Sequence, residues 1–197
     1  MYTIVVKVGG SLLGRANGVA RLRGWLADQL AHRSGRWVLV AGGGPWVDLV
    51  RQAHEQLGLS EDASHWLAIR AMTVTARVLA ASVPGGRLME TVESPERWWG
   101  DNVGDTAAGQ FTILDCEGYL QHFDQTFPDG PLPCNWRVTS DSIAARITRV
   151  LRADELILLK SASADTDDWD VLAGCGYVDE YFPREAAAIP SVRVVCL

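Results

Sequence analysis

The sequence predicts an α/β protein whose central β-sheet is mostly parallel and is covered by helices on both faces. Four short runs, at residues 3–8, 37–41, 155–159 and 192–196, are mostly apolar. Strands that are apolar on both sides are typical of a parallel sheet buried between two helical layers. Segments with helical spacing of apolar residues separate most of these runs, which indicates β-α-β connections between parallel strands.

The first half of the chain is predicted to hold two strands and three helices. Glycine and proline mark the ends of these elements, and apolar residues at helical spacing mark the helices themselves. In chain order they are a strand at 3–8, a helix at about 16–32, a strand at 37–41 (WVLVA), a helix from Pro45 to about Gly58, and a helix at 61–81.

The second half is less regular, and its middle is harder to interpret. The short apolar piece Phe111–Leu114 fits a strand, and the proline-containing stretch 128–133 fits a loop. The later predicted elements are a helix at 139–151, a strand at 155–159 that ends at Lys160, a polar loop at 161–170, a helix at about 183–188, and a strand at 192–196. No internal repeat, linker or low-complexity tract is seen in the sequence, which predicts a single domain over residues 1–197.

The overall composition is that of an ordinary globular protein of 197 residues, with 48% hydrophobic and 21% charged residues. A net charge of −6 argues against a nucleic-acid-binding or acidic-membrane-binding surface. The four cysteines are far apart, so we expect buried thiols rather than disulfides or a zinc site. The sequence shows no leader and no segment of transmembrane length, which predicts a cytoplasmic location.

Lys7 is unusual because it lies inside the apolar run IVVKV. Burial of an ammonium group is costly unless a negative group meets it, so Lys7 predicts an anion at this place. Lys160 also ends an apolar strand, although either side chain alone would be explained by extension into solvent. Both lysines stand at the carboxyl ends of predicted parallel strands, where α/β sheets bind their ligands. Two ammonium groups that converge on phosphates suit phosphoryl transfer.

Two glycine-rich turns, Gly9–Gly10 and Gly42–Gly44, connect predicted strands to predicted helices. Glycine lets backbone amides approach a ligand closely, and the following helix contributes a partly positive N-terminus. Each turn alone is equally well explained as a tight turn without a ligand. Neither matches the Walker loop or the GxGxxG dinucleotide motif.

The segment Thr139-Ser140-Asp141-Ser142 stands at the head of a predicted helix. Thr139 or Ser140 fits the N-cap, and Asp141 in the first turn complements the helix dipole. Alternatively, Asp141 faces the pocket and keeps the two lysine ammonium groups from repelling each other. Both roles can hold at once.

The stretches KVGGSLL, VLVAGGGP, TSDSIAARI and ELILLKS follow the order of the amino acid kinase superfamily, which the chain resembles from residue 1 to about residue 161. This resemblance implies a three-layer αβα sandwich with an ATP site at the carboxyl edge of the sheet. It implies that Lys7 contacts the transferred phosphate, that Gly9, Gly10 and Ser11 cradle the ATP phosphates, that Gly43 and Gly44 lie along the acceptor, and that Asp141 organises the lysines. Magnesium (Mg²⁺) would be bound chiefly through the nucleotide.

Within that superfamily, HWLAIRAMTVTARVLA and WRVTSDSIAARI are similar to the small kinases of methanofuran biosynthesis and their bacterial relatives in one-carbon metabolism. This narrower resemblance implies phosphorylation of 5-(aminomethyl)furan-3-ylmethyl phosphate, below called the furan phosphate, to its diphosphate. Members of the superfamily are commonly homo-oligomers, so the same is expected here.

The sequence departs from the superfamily after Lys160, where SASADTDDWD replaces the usual TDVxG-like stretch. A reduced nucleotide site is therefore one expectation, and a non-catalytic module that binds or stores a small anion is the alternative function. A carboxylate kinase that forms an acyl phosphate is a further alternative. The acidic residues Asp165, Asp167 and Asp168 fit a solvated loop better than a metal site.

The predicted site residues fall into three groups. The catalytic residues are Lys7, Asp141 and Lys160. The nucleotide-binding residues are Gly9, Gly10, Ser11, Lys160 and Ser161, and the acceptor-binding residues are Gly42, Gly43, Gly44, Arg70, Trp136 and Thr139. For Arg70, which lies on a mostly apolar helix, pairing with a buried carboxylate is the alternative role. Trp98 and Trp99 are candidates, with Trp136, for an aromatic wall or lid over the acceptor.

Overall fold

The computed structural model of this protein describes residues 1–90 and 110–197. Within these residues, six parallel strands form a single sheet. The strand order across the sheet is β3-β4-β2-β1-β5-β6, and every neighbouring pair is parallel. The strands are β1 (Thr3–Val8), β2 (Arg36–Ala41), β3 (Gly86–Met89), β4 (Phe111–Leu114), β5 (Glu155–Lys160) and β6 (Val192–Cys196). The predicted α/β class with a parallel sheet is confirmed.

Within the described residues, helices lie between β1 and β2, β2 and β3, β4 and β5, and β5 and β6, and they cover both faces of the sheet. They are α1 (Gly10–Leu13), α2 (Gly18–His32), α3 (Gly44–Leu57), α4 (Glu61–Ser82), α5 (Glu117–His122), α6 (Ser140–Val150), α7 (Trp169–Gly174) and α8 (Phe182–Ala186), with a short 3-10 helix at Asp124–Thr126. Within the described residues, no helix combines the length and the apolar character needed to cross a membrane.

The core is divided by the sheet into two apolar clusters. Alternate residues of β1 belong to different clusters: Ile4 packs on the side of α2, whereas Val5 packs on the side of α6 and α8. Successive side chains of a strand point to opposite faces, so Lys7 shares the face of Val5. The lysine therefore extends from the sheet toward α6.

Strand register brings the sequence signals to one edge of the sheet. Val8, the last residue of β1, is paired with Ala41 of β2 and with Leu159 of β5. The two glycine turns and Lys160 follow directly after these positions. The ligand-binding edge expected of a parallel α/β sheet thus carries all three features.

Some elements differ from the sequence prediction. The strand β3 and the helices α1, α5 and α7 are not among the predicted elements, and each has only four to six residues. Asp168, predicted to lie in a solvated loop, is the N-cap of α7, and its carboxylate accepts hydrogen bonds from the N–H groups of Asp170 and Val171 at 3.0 and 3.2 Å.

The expectation of buried thiols is only partly met. All four cysteines are free, but Cys175 and Cys196 are exposed and Cys134 is half-buried, which leaves Cys116 as the one buried thiol. Burial and the nearby charge of Asp115 raise the pKa of the Cys116 thiol, so this sulfur stays protonated at neutral pH.

A buried ion network fixes α6 against α8. Arg146 is fully buried and donates to both carboxylate oxygens of Glu185 at 2.9 and 3.0 Å, and it also pairs with the carboxylate of Asp124. Burial raises the pKa of Glu185, but the guanidinium groups of Arg146 and Arg149 outweigh that effect and hold the pKa below its usual value. The network is stable only as a complete unit.

Replacement of Arg146 by methionine is expected to reduce the free energy of unfolding by about 3–5 kcal/mol, because removal of one partner leaves buried carboxylates without their cation. Urea denaturation followed by circular dichroism measures the loss. Arg70→Met is the matched control: Arg70 is 63% exposed in its ion pair with Glu117, and such pairs contribute under about 1 kcal/mol. Equal losses in the two variants would contradict a structural role for the network.

Candidate active site

Asp141 lies between the two lysine side chains at the carboxyl edge of the sheet. The Lys7 ammonium nitrogen is 2.9 Å from Oδ1 of Asp141, and the Lys160 ammonium nitrogen donates to Oδ2 at 2.7 Å. Lys7 comes from β1, Lys160 from the end of β5, and Asp141 from the first turn of α6. The structure therefore brings the three predicted catalytic residues into direct contact.

The electrostatic balance of this cluster leaves an excess of positive charge. Lys7 and Asp141 are each only 5% exposed. Burial raises the pKa of Asp141, but the ammonium groups of Lys7 and Lys160 outweigh burial and keep the pKa below its ordinary value. Burial and the charge of Lys7 lower the pKa of Lys160, although Asp141 opposes this shift. Two ammonium groups around one carboxylate leave a net positive charge that favours binding of an anion.

Lys7 and Lys160 are the only lysines in the chain, whereas arginine occurs at sixteen positions. An ammonium group is a compact point charge on a flexible stem, while guanidinium is a broad planar fork. Arginine serves the other cationic positions of this protein, and lysine occurs only where a small charge fits against Asp141. This count was available from the sequence and would have strengthened the prediction.

The two glycine turns pack directly against each other. A Cβ atom on Gly10 would lie 2.3 Å from the backbone nitrogen of Gly44, and one on Gly42 would lie 2.8 Å from the nitrogen of Gly10. Gly44 also has a backbone φ of +58°, a conformation that residues other than glycine rarely adopt. Backbone contact between the turns explains why glycine is required there, and it keeps both turns at the edge of the site.

Gly10→Ala is expected to abolish catalysis, because its Cβ would meet the backbone of Gly44 rather than a side chain that can move away. Gly24→Ala is the matched control. Gly24 lies inside α2 with no neighbouring atom within 4 Å of an added Cβ, so the substitution should stabilise the protein by about 0.5–1 kcal/mol. Thermal unfolding and ADP release measure both variants. Wild-type activity in Gly10→Ala would show that the turns need not touch.

The predicted nucleotide-side residues lie together beside this turn. The hydroxyl oxygens of Ser11 and Ser161 are 3.0 Å apart, and Arg15 donates to the carbonyl of Ser161 at 3.1 Å. The four-residue helix α1 has no side-chain cap at its N-terminus, and within it the Leu12 N–H donates to the Gly9 carbonyl at 3.1 Å. Oxygen-rich anions such as the phosphates of a nucleotide fit this set of donors.

A cavity of about 360 Å³ opens beside the glycine turns, between α3, α4 and the start of α6. Six predicted site residues line it, namely Gly10, Ser11, Gly43, Gly44, Trp136 and Thr139. Trp136 forms one wall, where the Arg51 guanidinium lies 4.4 Å from the ring centroid and His54 makes an edge contact at 5.9 Å.

The prediction for Arg70 is not supported by its position. Its side chain is exposed and pairs with Glu117 at 3.2 Å, and it is not among the residues that line the cavity. The charged residues that line the cavity are instead Arg15, Asp48 and Arg51, together with the buried His65. Burial lowers the pKa of His65, and a hydrogen bond to the backbone of Asn135 partly offsets this effect.

Arg15, Asp48, Arg51 and His65 are not among the predicted site residues, but helical spacing identifies two of them. Asp48 and Arg51 follow Gly44 by four and seven positions on α3, so the three residues share one face of the helix. Once Gly44 is placed at the site, the same face predicts both side chains there. His65 and Arg15 carry no comparable signal.

The cap of α6 is formed differently from the prediction. Thr139 is the N-cap residue, but its side chain accepts no hydrogen bond from the helix. Instead, the Thr139 hydroxyl donates to Asp179 at 2.8 Å, and the same carboxylate accepts from the backbone of Ser142 at 3.0 Å. Asp179 carries no signal in the sequence around α6, because it lies about forty positions away from the helix it caps.

The predicted aromatic wall or lid of Trp98 and Trp99 lies outside the described residues. Among the residues that the structure describes, no group of three or more histidine, cysteine, aspartate or glutamate side chains is arranged to hold a metal ion.

No family model matches the chain. A curated relative, the (5-(aminomethyl)furan-3-yl)methyl phosphate kinase of Methanocaldococcus jannaschii, is 24% identical over 190 residues, which cover 91% of this chain and 80% of the relative.

Among solved structures, the uridylate kinase of Archaeoglobus fulgidus matches with a TM-score of 0.63 and 17% identity, over 98% of this chain and 90% of that one. The UMP kinase of Ureaplasma parvum matches with a TM-score of 0.65 and 12% identity, over 100% of this chain and 90% of that one. These kinases belong to the amino acid kinase superfamily. The chain has the amino acid kinase fold.

The resemblance to the amino acid kinase superfamily is therefore confirmed, as is the three-layer αβα architecture. The curated sequence relative is named as a kinase, which bears out the prediction of an ATP-dependent phosphotransferase. In the amino acid kinase fold of this chain, the cluster of Lys7, Asp141 and Lys160 lies at the carboxyl edge of the sheet. None of the three lines the cavity, but Ser140, the neighbour of Asp141 in the chain, does.

Proposed function

We propose that this chain transfers the γ-phosphoryl group of ATP to the furan phosphate and forms the corresponding diphosphate. The single observation that carries a phosphotransferase is the pair of lysines held on Asp141 beside the cavity. The choice of acceptor rests on the name of the curated relative and on the chemistry of the cavity. The proposal places the chain in a methanofuran-type pathway of one-carbon metabolism.

The residues of the site would act by alignment and charge stabilisation. An oxygen of the acceptor phosphate is already anionic, so it attacks the γ-phosphorus without a general base. A new P–O bond forms, the bond from the γ-phosphorus to the β,γ-bridging oxygen breaks, and ADP leaves with that electron pair. Lys7 and Lys160 stabilise the negative charge on the transferred group, and Asp141 holds both ammonium groups in place.

ATP would lie on the side of Ser11, Ser161 and Lys160, where two serine hydroxyls 3.0 Å apart adjoin the end of β5 that carries the Lys160 ammonium. When bound, Mg²⁺ supplies neutralisation of phosphate charge. It is proposed to enter with the nucleotide, because this ion usually keeps several waters and binds through substrate phosphates.

The acceptor would occupy the cavity between the glycine turns and Trp136. Its volume of about 360 Å³ is suited to a small molecule rather than to a macromolecule. Trp136 offers an aromatic surface to a flat ring, while Arg51 and Asp48 offer one charge of each sign. A small acceptor with a phosphate, a ring and an amine fits these three features.

The test is a phosphoryl-transfer assay with purified protein, Mg·ATP and a panel of acceptors. The panel holds the furan phosphate, UMP and small carboxylates, with 31P NMR of the products and hydroxylamine present in a parallel sample. We expect ADP release only with the furan phosphate, together with the paired resonances of a diphosphate.

Other results would support the alternatives. Stabilisation of the protein by Mg·ATP in a thermal shift measurement, without turnover of any acceptor, would favour a binding or storage module. A hydroxamate product would identify a carboxylate kinase that forms an acyl phosphate, and turnover of UMP alone would identify UMP, rather than the furan phosphate, as the acceptor.

A single domain, a homo-oligomer and a cytoplasmic location remain predictions.

A further inference from the structure

We propose that Asp179 is a positioning residue for phosphoryl transfer, because it fastens the first turn of α6 to the chain segment that holds Lys160. The role goes beyond the proposed function in naming a residue outside the charged cluster, and its kinetic consequence rests on that function. Residues 177–179 are below called the clamp segment.

Asp179 makes four hydrogen bonds to the start of α6. Oδ2 accepts from the Thr139 backbone nitrogen at 3.0 Å, from the Thr139 hydroxyl at 2.8 Å and from the Ser142 backbone nitrogen at 3.0 Å. Oδ1 accepts from the Ser142 hydroxyl. Asp141 lies between these two residues in the same turn, so the direction of its side chain depends on this attachment.

Tyr177, two residues earlier, holds the other side of the cluster. Its backbone carbonyl accepts a hydrogen bond from the Lys160 ammonium at 2.7 Å, and its hydroxyl donates to the carbonyl of Ala162 at 2.6 Å. The Lys160 nitrogen lies 5.2 Å from the Tyr177 ring centroid. Tyr177 thus fixes both the lysine and the start of the loop that follows β5.

The residue between them anchors the clamp segment in the core. Val178 is only 3% exposed and belongs to the apolar cluster on the α6 side of the sheet. A fixed backbone at this point makes the positions of the Tyr177 carbonyl and the Asp179 carboxylate depend on each other. Asp141 and Lys160 are therefore held by their own ion pair and also by three consecutive residues of one segment.

Charge as well as geometry connects Asp179 to the cluster. The groups that face Lys160 are Lys7 from β1, Asp141 from α6, and the Tyr177 ring and Asp179 carboxylate from the clamp segment. The carboxylate of Asp179 raises the pKa of Lys160, in opposition to burial and to Lys7. Burial raises the pKa of Asp179, and the Ser142 and Thr139 hydrogen bonds work against this shift. A cap without influence on the active site would leave the titration of Lys160 unchanged when it is altered.

Two substitutions separate charge from geometry. Three of the four hydrogen bonds end on Oδ2, so Asp179→Asn can keep them with its amide oxygen and direct its NH₂ group to the Ser142 hydroxyl. That variant removes the charge and keeps the attachment. Asp179→Ala removes both. The matched control is Glu180→Gln, because Glu180 is the next residue, is exposed, and pairs with Arg137 on the surface.

Lysine titration provides a readout that does not require turnover. Protein labelled with 13C at the lysine ε-carbon should give two signals, from Lys7 and Lys160, since the chain has no other lysine. Lys160→Arg assigns them. We expect Lys160 to titrate at a lower pH in Asp179→Asn than in the wild type and in Glu180→Gln.

The kinetic readout is the turnover of the furan phosphate. In Asp179→Ala, kcat is expected to fall by about 10²-fold, as for other small displacements of catalytic groups, with a much smaller change in KM. In Asp179→Asn the alkaline limb of the kcat profile should move to lower pH together with the Lys160 titration.

Wild-type kcat and an unchanged Lys160 titration in both Asp179 variants would overturn the inference. If Asp179→Ala does not fold, Asp179→Asn decides it by the titration and the pH profile. If wild-type protein turns over no acceptor, the proposed function fails separately, and the lysine signals still show whether Asp179 acts on Lys160.

Discussion

Lys7→Met is expected to lower kcat by about 10³-fold or more, the loss that follows removal of a charge aimed at the transferred group. The Lys7 ammonium is buried in the charged cluster, where water cannot replace it and the low local dielectric strengthens its interaction with an anion. Methionine keeps an unbranched side chain of similar length on the α6 side of β1, so packing on this face of the sheet is preserved. The rate of ADP release with the furan phosphate measures the effect.

The control for this substitution is Arg21→Met, which removes an exposed cation on α2. Circular dichroism and thermal unfolding of both variants show whether the fold persists. If folded Lys7→Met turned over within about tenfold of the wild type, Lys7 would have no part in stabilising the transition state. The mechanism would then have to rely on Lys160 and the backbone amides alone.

The central strands could be predicted from the sequence because burial on both faces leaves a continuous apolar run. β1, with all six residues buried, and β5, with five of six buried, are examples. The strand β3 lacks that signal, since it lies at the edge of the sheet and three of its four residues are half-buried or exposed. β6 lies at the opposite edge and none of its residues is buried, but its VRVVC sequence still gives an apolar run, so edge position alone does not hide a strand.

The same reasoning explains which site residues were found. Lys7 and Lys160 stand out because a charge inside an apolar strand demands a partner, and the structure supplies Asp141. Asp179 gives no local signal, because its function depends on contact with α6 rather than on its own neighbours in sequence. Interactions between distant segments are the part of a site that a single sequence conceals.

The position of Arg70 could not be predicted from the pattern of apolar residues along α4. Helix α4 buries polar residues such as Ser64 and Thr75, yet exposes apolar residues such as Leu67 and Val74. The usual rule that apolar faces turn inward therefore does not identify its cavity-facing side. Arg70 faces outward to Glu117, and the cationic residues at the cavity come from α3 and the loop after α1.

Asp141→Asn is expected to lower both activity and stability, and both losses have one cause. The substitution leaves two ammonium groups in contact with a neutral amide at positions where the carboxylate oxygens lie 2.9 and 2.7 Å from them. The two cations then repel each other without compensation, and their positions relative to the nucleotide are lost. We expect kcat to fall by about 10²-fold or more, as for loss of a group that orients the reacting charges.

The stability loss has a defined pH dependence. The pKa of Asp141 is lower in the folded protein than its ordinary value, because Lys7 and Lys160 outweigh the effect of burial. A carboxyl group with a depressed pKa stabilises the fold above its unfolded pKa of about 3.9, and this contribution disappears as the pH falls through the folded pKa. The wild type should therefore exceed Asp141→Asn in stability at neutral pH, and the difference should narrow below about pH 4.

Chemical denaturation at a series of pH values tests this sign directly. Asp28→Asn is the matched control, since Asp28 is exposed on α2 beside His32 and should leave the curve of stability against pH nearly unchanged. A constant difference between wild type and Asp141→Asn from neutral pH to below about pH 4 would mean that Asp141 is not held ionised by its lysines. Parallel loss of activity and of acid-dependent stability would instead show that one carboxylate both maintains the fold at this edge and sets the charge of the site.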